Sequence, residues 1–260
     1  MTLLLPPSLA LLLAFTNASA PAPYTAPATD APALRGLDFS KAQAIDPQLT
    51  LMYQACDRST DRGGCATDPA HNTVLLRFDD NTVFFDAKMA IDADGSTLSK
   101  RAEHPNQPET ALRYPEFATS PSSGASLDSE AVPYVVMPLG DFRRETGVGL
   151  GDLAAILKDG KLQFAIVGDL GPRTHIGEAS MKLHMQFGRD ICTAYDADHH
   201  CSLFTDTSID APVLYFFFPD TRRLIYDGLT AENINERIMT VGAQVWAGFL
   251  ARQRQQQGAN

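Results

Sequence analysis

Short apolar runs bounded by turn residues recur through most of this 260-residue chain, and they constrain its fold more than any other feature. Short runs rich in β-branched and aromatic side chains are typical of strands, whereas helices need a longer pattern with a period of 3.6 residues. We assign strands to residues 49–53, 73–78, 82–86, 131–138, 162–167 and 213–218. The prolines of 131–138 favour an edge position for that strand. The sequence therefore predicts a mainly β domain.

Two segments have helical character. Residues 151–158 predict a short helix ended by Asp159-Gly160. A longer helix is predicted at about 230–254, with Thr230 as its N-cap. Its apolar residues recur at spacings of three and four, at Ile234, Ile238, Val241, Val245 and Phe249. We interpret Trp246 as part of the packing of this helix on the sheet rather than as a platform for a sugar ring.

The first 33 residues fall into two segments of different composition. Residues 1–20 resemble a secretory signal peptide, with a short apolar run followed by Ala18-Ser19-Ala20. Residues 21–33 are rich in Pro, Ala and Thr and predict a disordered linker, so the folded domain is expected at 34–260. Residues 96–127 predict a long loop. We expect a secreted or periplasmic protein that is monomeric and has no membrane association after signal cleavage.

Four cysteines form two pairs of equal spacing. Cys56 and Cys65 enclose eight residues, and so do Cys192 and Cys201. Two local disulfides are the simplest pairing, because an exported protein meets oxidising conditions. A four-cysteine zinc site is the alternative, although neither pair has the close Cys-x-x-Cys spacing.

The formal net charge of −10 argues against nucleic acid as a partner, because binding a polyanion requires a basic face. An acidic cleft would instead attract a polycation. Ordinary solubility charge accounts for most of these acidic residues.

Two acids flank a Gly-Pro turn in the stretch AIVGDLGPRTHIGEAS, residues 165–180. Asp169 closes a predicted strand, and Glu178 opens a second ordered segment nine residues later. A turn between them would bring both carboxyl groups to one rim. Paired carboxylates catalyse glycoside hydrolysis, but acids beside turns also serve as caps and loop charges.

Several stretches resemble the family 75 glycoside hydrolases, the fungal-type endo-chitosanases. The similar segments are Gly168-Asp169, Ile-Gly-Glu-Ala-Ser at 176–180, Val-Pro-Tyr-Val-Val at 132–136 and Lys-Met-Ala-Ile-Asp-Ala-Asp-Gly at 88–95. They span residues 86–180 in the family's order. The chain departs from the family at Ala93, where the family has a cysteine. Its segment between Asp169 and Glu178 is also shorter than in the fungal enzymes.

The resemblance implies endo-hydrolysis of β-1,4-linked glucosamine with inversion, on a small β-barrel of Greek-key or double-psi type, without metal or cofactor. Inversion needs one protonated carboxyl and one carboxylate on opposite sides of the sugar. We expect Asp169 and Glu178 to be this pair, with Glu178 as the acid and Asp169 as the base. The alternatives are a periplasmic hydrolase of another glycan, such as peptidoglycan, and a non-catalytic carbohydrate-binding envelope protein.

Other polar residues are candidates for binding a cationic polysaccharide. Asp92 and Asp94 could bind protonated amines, but Asp-x-Asp-Gly is also ordinary turn chemistry and occurs in calcium loops. His175 could contact substrate or make a structural hydrogen bond, and Arg173 could pair with Asp169. We interpret His199-His200 as surface loop. Ser180 lacks the surroundings of a serine nucleophile.

Overall fold

The computed structural model describes residues 24–25, 32–59, 64–100, 109–112, 126–205 and 208–258. The predicted signal peptide and most of the predicted linker and long loop lie outside these ranges. The strands are β1 Gln43–Ala44, β2 Arg58–Ser59, β3 Cys65–Ala66, β4 Val74–Arg77, β5 Val83–Asp92, β6 Tyr134–Pro138, β7 Leu153–Lys158, β8 Lys161–Gly171, β9 Glu178–Ser180, β10 Cys192–Tyr195, β11 Cys201–Phe204 and β12 Ile209–Phe218. The α-helices are α1 Pro47–Gln54, α2 Phe142–Thr146, α3 Met181–Gln186, α4 Arg222–Tyr226 and α5 Ile234–Gly258, and short 3-10 helices occupy Pro32–Leu34 and Phe39–Lys41.

Six strands close into a β-barrel in the order β5-β12-β7-β8-β6-β9, and β9 returns to β5. The pairs β6–β8 and β5–β9 are parallel, and the other four contacts around the barrel are antiparallel. β4 and then β1 extend the sheet beyond β5. The expectation of a mainly β fold with a small barrel and a C-terminal helix is therefore confirmed.

Barrel strands are buried on both faces, so alternate residues supply two separate apolar clusters. One cluster takes residues from all six barrel strands and fills the interior; its members include Phe85, Tyr215, Ile156, Val167, Val135 and Ala179. The other lies on the outer face beneath α5, where Trp246 packs edge-on against Phe216 with ring centroids 5.0 Å apart. Burial on both sides explains the continuous apolar runs of the sequence, and the packing role of Trp246 is confirmed.

Three local predictions are wrong. Residues 49–53 lie in α1, because Asp46 accepts hydrogen bonds from the N–H groups of Gln48 and Leu49, and Pro47 occupies the first helical turn. Residues 151–158 are mostly β7. Asp159 and Gly160, with φ of 48° and 77°, form a tight hairpin turn into β8 instead of ending a helix.

The third wrong prediction is the edge position of 131–138. β6 pairs with β8 on one side and with β9 on the other, and its prolines lie at or just before its ends, where a missing N–H does not interrupt the pairing. At the C-terminus, the predicted helix is α5, which begins at Ile234. Just before it, the hydroxyl of Thr230 accepts from the N–H of Asn233, and the side chain of Asn233 accepts from the N–H of Thr230, which is the reciprocal pattern of a capping box.

The cysteines form the two predicted local disulfides, Cys56–Cys65 and Cys192–Cys201. The first joins the chain just after α1 to β3, and the second links β10 to β11 across their hairpin. Tyr24, from the segment predicted as linker, packs against Phe39 and Phe84 and donates a hydrogen bond to Asp86. Among the residues with assigned positions, no helix is long and apolar enough to cross a membrane.

Candidate active site

Three aspartates meet where β5 and β8 end. Asp92 is the last residue of β5, Asp94 follows it in a turn, and Asp169 lies two residues before the end of β8. Each offers a carboxylate oxygen, and these oxygens lie within 4.8 Å of one another. Asp92 and Asp169 are 7% and 5% exposed, so the group is largely removed from water.

Glu178 reaches the same place from the neighbouring strand. β9 pairs in parallel with β5, which sets Glu178 opposite Ala90, two residues before Asp92. A Cβ atom added at Gly171 would lie 3.4 Å from Oε2 of Glu178. Because residues two apart on a strand share a face, the carboxyl group of Glu178 lies on the face of β8 that carries the side chain of Asp169.

Hydrogen bonds orient the carboxyl group of Asp169. Its Oδ1 accepts from the backbone N–H of Ala111 at 2.8 Å and from that of Leu170 at 2.7 Å. Burial raises the pKa of Asp169, while these two bonds and hydrogen bonds with Asp92 and Asp94 act in the opposite direction. Asp169 is thus the acceptor in a group of carboxyls that share protons.

The two other aspartates hold their protons more strongly. Burial raises the pKa of Asp92 well above its ordinary value, and the charges of Glu178, Asp169 and Asp94 raise it further. For Asp94, burial and then the charges of Asp169 and Glu178 raise the pKa to about 7. Like charges in a space of low dielectric cannot all ionise together, so this site keeps protonated carboxyls near neutral pH.

Buried neighbours support this acidic group. The hydroxyl of Tyr134 donates to the carbonyl of Asp94 at 2.9 Å, and Ser129 donates to the carbonyl of Asp92. The backbone N–H of Asp94 donates to Oδ1 of Asp92 at 2.8 Å. The Asp-x-Asp-Gly segment therefore makes a hydrogen bond typical of a turn, and it also lies beside the predicted catalytic residue Asp169.

Lys88 is the residue that the sequence analysis missed. It is 4% exposed and lies in β5, and its Nζ donates to the carbonyl of Ile176 at 2.7 Å. A lysine inside the apolar run of a strand is the signal that could have drawn attention to it, because lysine is rarely buried without a partner.

His175 and Arg173 lie on the turn between the two acids but not at the three aspartates. A ring nitrogen of His175 lies within 4.8 Å of the sulfurs of the Cys56–Cys65 disulfide, which are already bonded to each other and cannot ligate a metal as thiolates. Burial, followed by the charge of Lys88, lowers the pKa of His175. The exposed Arg173 lies against Gly140 and forms no ion pair with Asp169.

Asp92, Asp94 and Asp169 are also a group of described residues that could offer oxygen ligands to a cation.

Buried carboxyls of unequal proton affinity, held side by side on a closed barrel, are of the kind that glycoside hydrolases use. The chain matches the family model described as fungal chitosanase of glycosyl hydrolase group 75 over residues 89–238, more than half of its length. It belongs to that family and is a chitosanase-type glycoside hydrolase with a polysaccharide substrate. Comparison with curated proteins found no match. The matched range contains Asp92, Asp94, Asp169 and Glu178. It extends beyond residue 180, where the segments that resemble the family in sequence end.

Proposed function

We propose that the protein is an endo-acting chitosanase that cleaves β-1,4-glucosamine linkages with inversion, using Asp169 as base and Glu178 as acid. The observation that carries this proposal is the position of Glu178 Oε2 beside Gly171, on the face of β8 that bears Asp169. Two acids with different surroundings therefore line one site, as hydrolysis by a carboxyl pair requires.

One strand lies between the two strands that carry the acids. Asp169 lies opposite Val136 of β6, and Ala179 lies opposite the adjacent Val135 on the other side of that strand. The backbones that carry the two acids are thus separated by two strand spacings, roughly 9–10 Å. The side chain of Glu178 reaches across this gap to Gly171. Inversion, which the resemblance to the family implies, needs about 6.5–9.5 Å between the carboxyl groups themselves, whereas retention needs about 5–5.5 Å.

The assignment of Asp169 as base follows from its hydrogen bonds. Two backbone N–H groups and the neighbouring aspartates donate to its carboxylate, which favours the ionised form that can activate water. Glu178 then protonates the leaving oxygen from the other side of the sugar. The carboxyl groups of Asp92 and Asp94 and the ammonium group of Lys88 interact with it electrostatically.

The acidity of the site suits a cationic polymer. Protonated glucosamine amines would make charge-assisted hydrogen bonds with carboxylates, and the net charge of −10 would favour encounter with the polymer. Asp92 and Asp94, which hold their protons near neutral pH, would accept hydrogen bonds from these amines through their carbonyl oxygens, and His175 and Arg173 contact the chain farther along the turn. We propose that the mature protein acts as a monomer outside the cell or in the periplasm and requires no cofactor.

The test compares soluble chitosan, acetylated chitin and peptidoglycan as substrates for the purified mature protein, with release of reducing ends as the readout. Chitosan should be cleaved, and NMR of the first products should show the inverted α-anomer. Cleavage of peptidoglycan alone would replace the proposal with a wall hydrolase. Binding without release from any polymer would indicate a carbohydrate-binding protein.

A further inference from the structure

The buried Lys88 has no role in the chemistry described so far, and burying an ammonium group carries a desolvation cost. Its Nζ donates to the carbonyl of Ile176, two residues before Glu178. A neutral donor such as glutamine could satisfy a carbonyl equally well. The charge of Lys88 therefore calls for a separate explanation.

The backbone of Lys88 also contacts the segment that leads into Glu178. Gly177, with φ of 76°, passes so close that a Cβ added there would lie 2.0 Å from the carbonyl oxygen of Lys88. The same carbonyl accepts a 3.0 Å hydrogen bond from Tyr215, and the N–H of Ala90 donates to the carbonyl of Gly177 at 2.9 Å. β5 thus fixes residues 176–178 through both main-chain and side-chain contacts.

Charged and titratable groups surround Lys88 and Glu178 on several elements. Burial lowers the pKa of Lys88, and the carboxylates of Glu178 and then Asp57 oppose that change. His175 on the turn also faces Lys88. Glu178 is faced in addition by Asp92, Asp94 and the phenol of Tyr215. Lys88 thus brings a positive charge to Glu178, where several acids also act on it.

We propose that Lys88 is a positioning residue for Glu178: its side chain fixes the 176–178 segment, and its positive charge favours the carboxylate that Glu178 becomes when it donates its proton. The proposal rests on the acid role of Glu178. The neighbouring carboxyls favour protonated Glu178, and Lys88 opposes them, so that the proton is held in the ground state but can still be released to the leaving oxygen.

Lys88→Met tests the charge, because methionine has a similar length without it, and Lys88→Arg restores it. In Lys88→Met, kcat on chitosan should fall at least about tenfold. The limb of the pH–rate profile assigned to Glu178 should move up by about one pH unit, because an opposite charge nearby is worth one unit or more. Lys88→Arg should return the limb towards its wild-type position. A loss of kcat with an unmoved limb in a folded Lys88→Met protein would show a structural role alone and overturn the proposal.

A second measurement does not depend on the folding of Lys88→Met. The coupling is reciprocal, so Glu178→Gln should lower the pKa of Lys88, which can be followed by the ¹⁵Nζ chemical shift of the full chain. An unchanged Lys88 titration in that variant would refute the coupling. If the wild-type protein cleaves no chitosan, the function proposed above fails, but this titration still reports whether the two charges interact.

Discussion

The backbone N–H of Ala111 donates a 2.8 Å hydrogen bond to Oδ1 of Asp169. Ala111 belongs to the region predicted as a long loop, and the adjacent Leu112 donates its N–H to the carbonyl of Gly168. This part of the chain therefore orients the carboxylate to which we assign the role of base. The contact connects a stretch with no strand character to the proposed chemistry.

The first prediction concerns the two proposed catalytic acids. Asp169→Asn and Glu178→Gln should each lower kcat on chitosan by about 10²–10⁴-fold with a folded protein, because each removes one half of the acid–base pair. Initial rates of reducing-end release, with circular dichroism as a folding check, measure this. Asp159→Asn is the control, because this exposed turn residue lies at the opposite end of β8, roughly 30 Å away. Near-normal activity in either catalytic variant would remove that residue from the mechanism.

The second prediction concerns Asp94. Its pKa in the folded protein, about 7, is above its unfolded value, so its contribution to stability is complete below about pH 4 and is lost as pH rises through 7. Asp94→Asn does not titrate and should be more stable than the wild-type protein at pH 8, by about 2 kcal/mol, with no such advantage at pH 4. Urea unfolding at both pH values measures this. An equal difference at the two pH values would contradict the raised pKa.

The third prediction concerns His71, which lies between two buried carboxylates outside the active site. Its Nε2 is 3.0 Å from Oδ1 of Asp86, and its Nδ1 is 3.4 Å from Oδ2 of Asp57. Burial opposes its protonation, but the two aspartates outweigh burial and raise the pKa to about 9. The stabilisation is complete below about pH 6.5 and is lost as pH rises through 9.

The unfolding free energy of the wild-type protein should therefore fall by about 2 kcal/mol between pH 6.5 and pH 9.5 through this group, and that part should be absent in His71→Gln. Chemical denaturation across this range measures it. His199→Asn, in an exposed turn, is the matched control and should retain the wild-type dependence. The same slope in His71→Gln would show that other groups cause it.

The fourth prediction separates two costs of replacing glycine by alanine: backbone strain at a positive φ and a steric clash of the new methyl group. Gly177 and Gly160 have φ of 76° and 77°, but a Cβ at Gly177 would lie 2.0 Å from the carbonyl oxygen of Lys88, whereas nothing lies within 4 Å at Gly160. Gly160→Ala should lose about 1 kcal/mol. Gly177→Ala should lose about 3 kcal/mol or more and most of its activity, because the segment before Glu178 must move. Similar losses of stability and activity in both variants would contradict this account.

The errors in local structure have two different physical origins. The apolar run at 153–157 has no periodicity that distinguishes a strand buried on both faces from a buried helix. The Asp159-Gly160 pair fits either a helix end or a tight hairpin, and pairing with β8 and β12 decided between them. At 49–53 the deciding signal is local, because Asp46-Pro47 lies just before the run as N-cap and first helical residue. The helix α1 could therefore have been predicted from the sequence.

The sequence by itself determined the β character, the C-terminal helix, the pairing of the cysteines and the two acids on either side of a turn, because these depend on residue type and on spacing over a few positions. Only the tertiary structure decided that β9 returns to β5 to close the barrel, and that Lys88 and Ala111 join the acids. Those contacts join residues tens of positions apart, and the proton affinities at the site follow from the burial and charge that such contacts create.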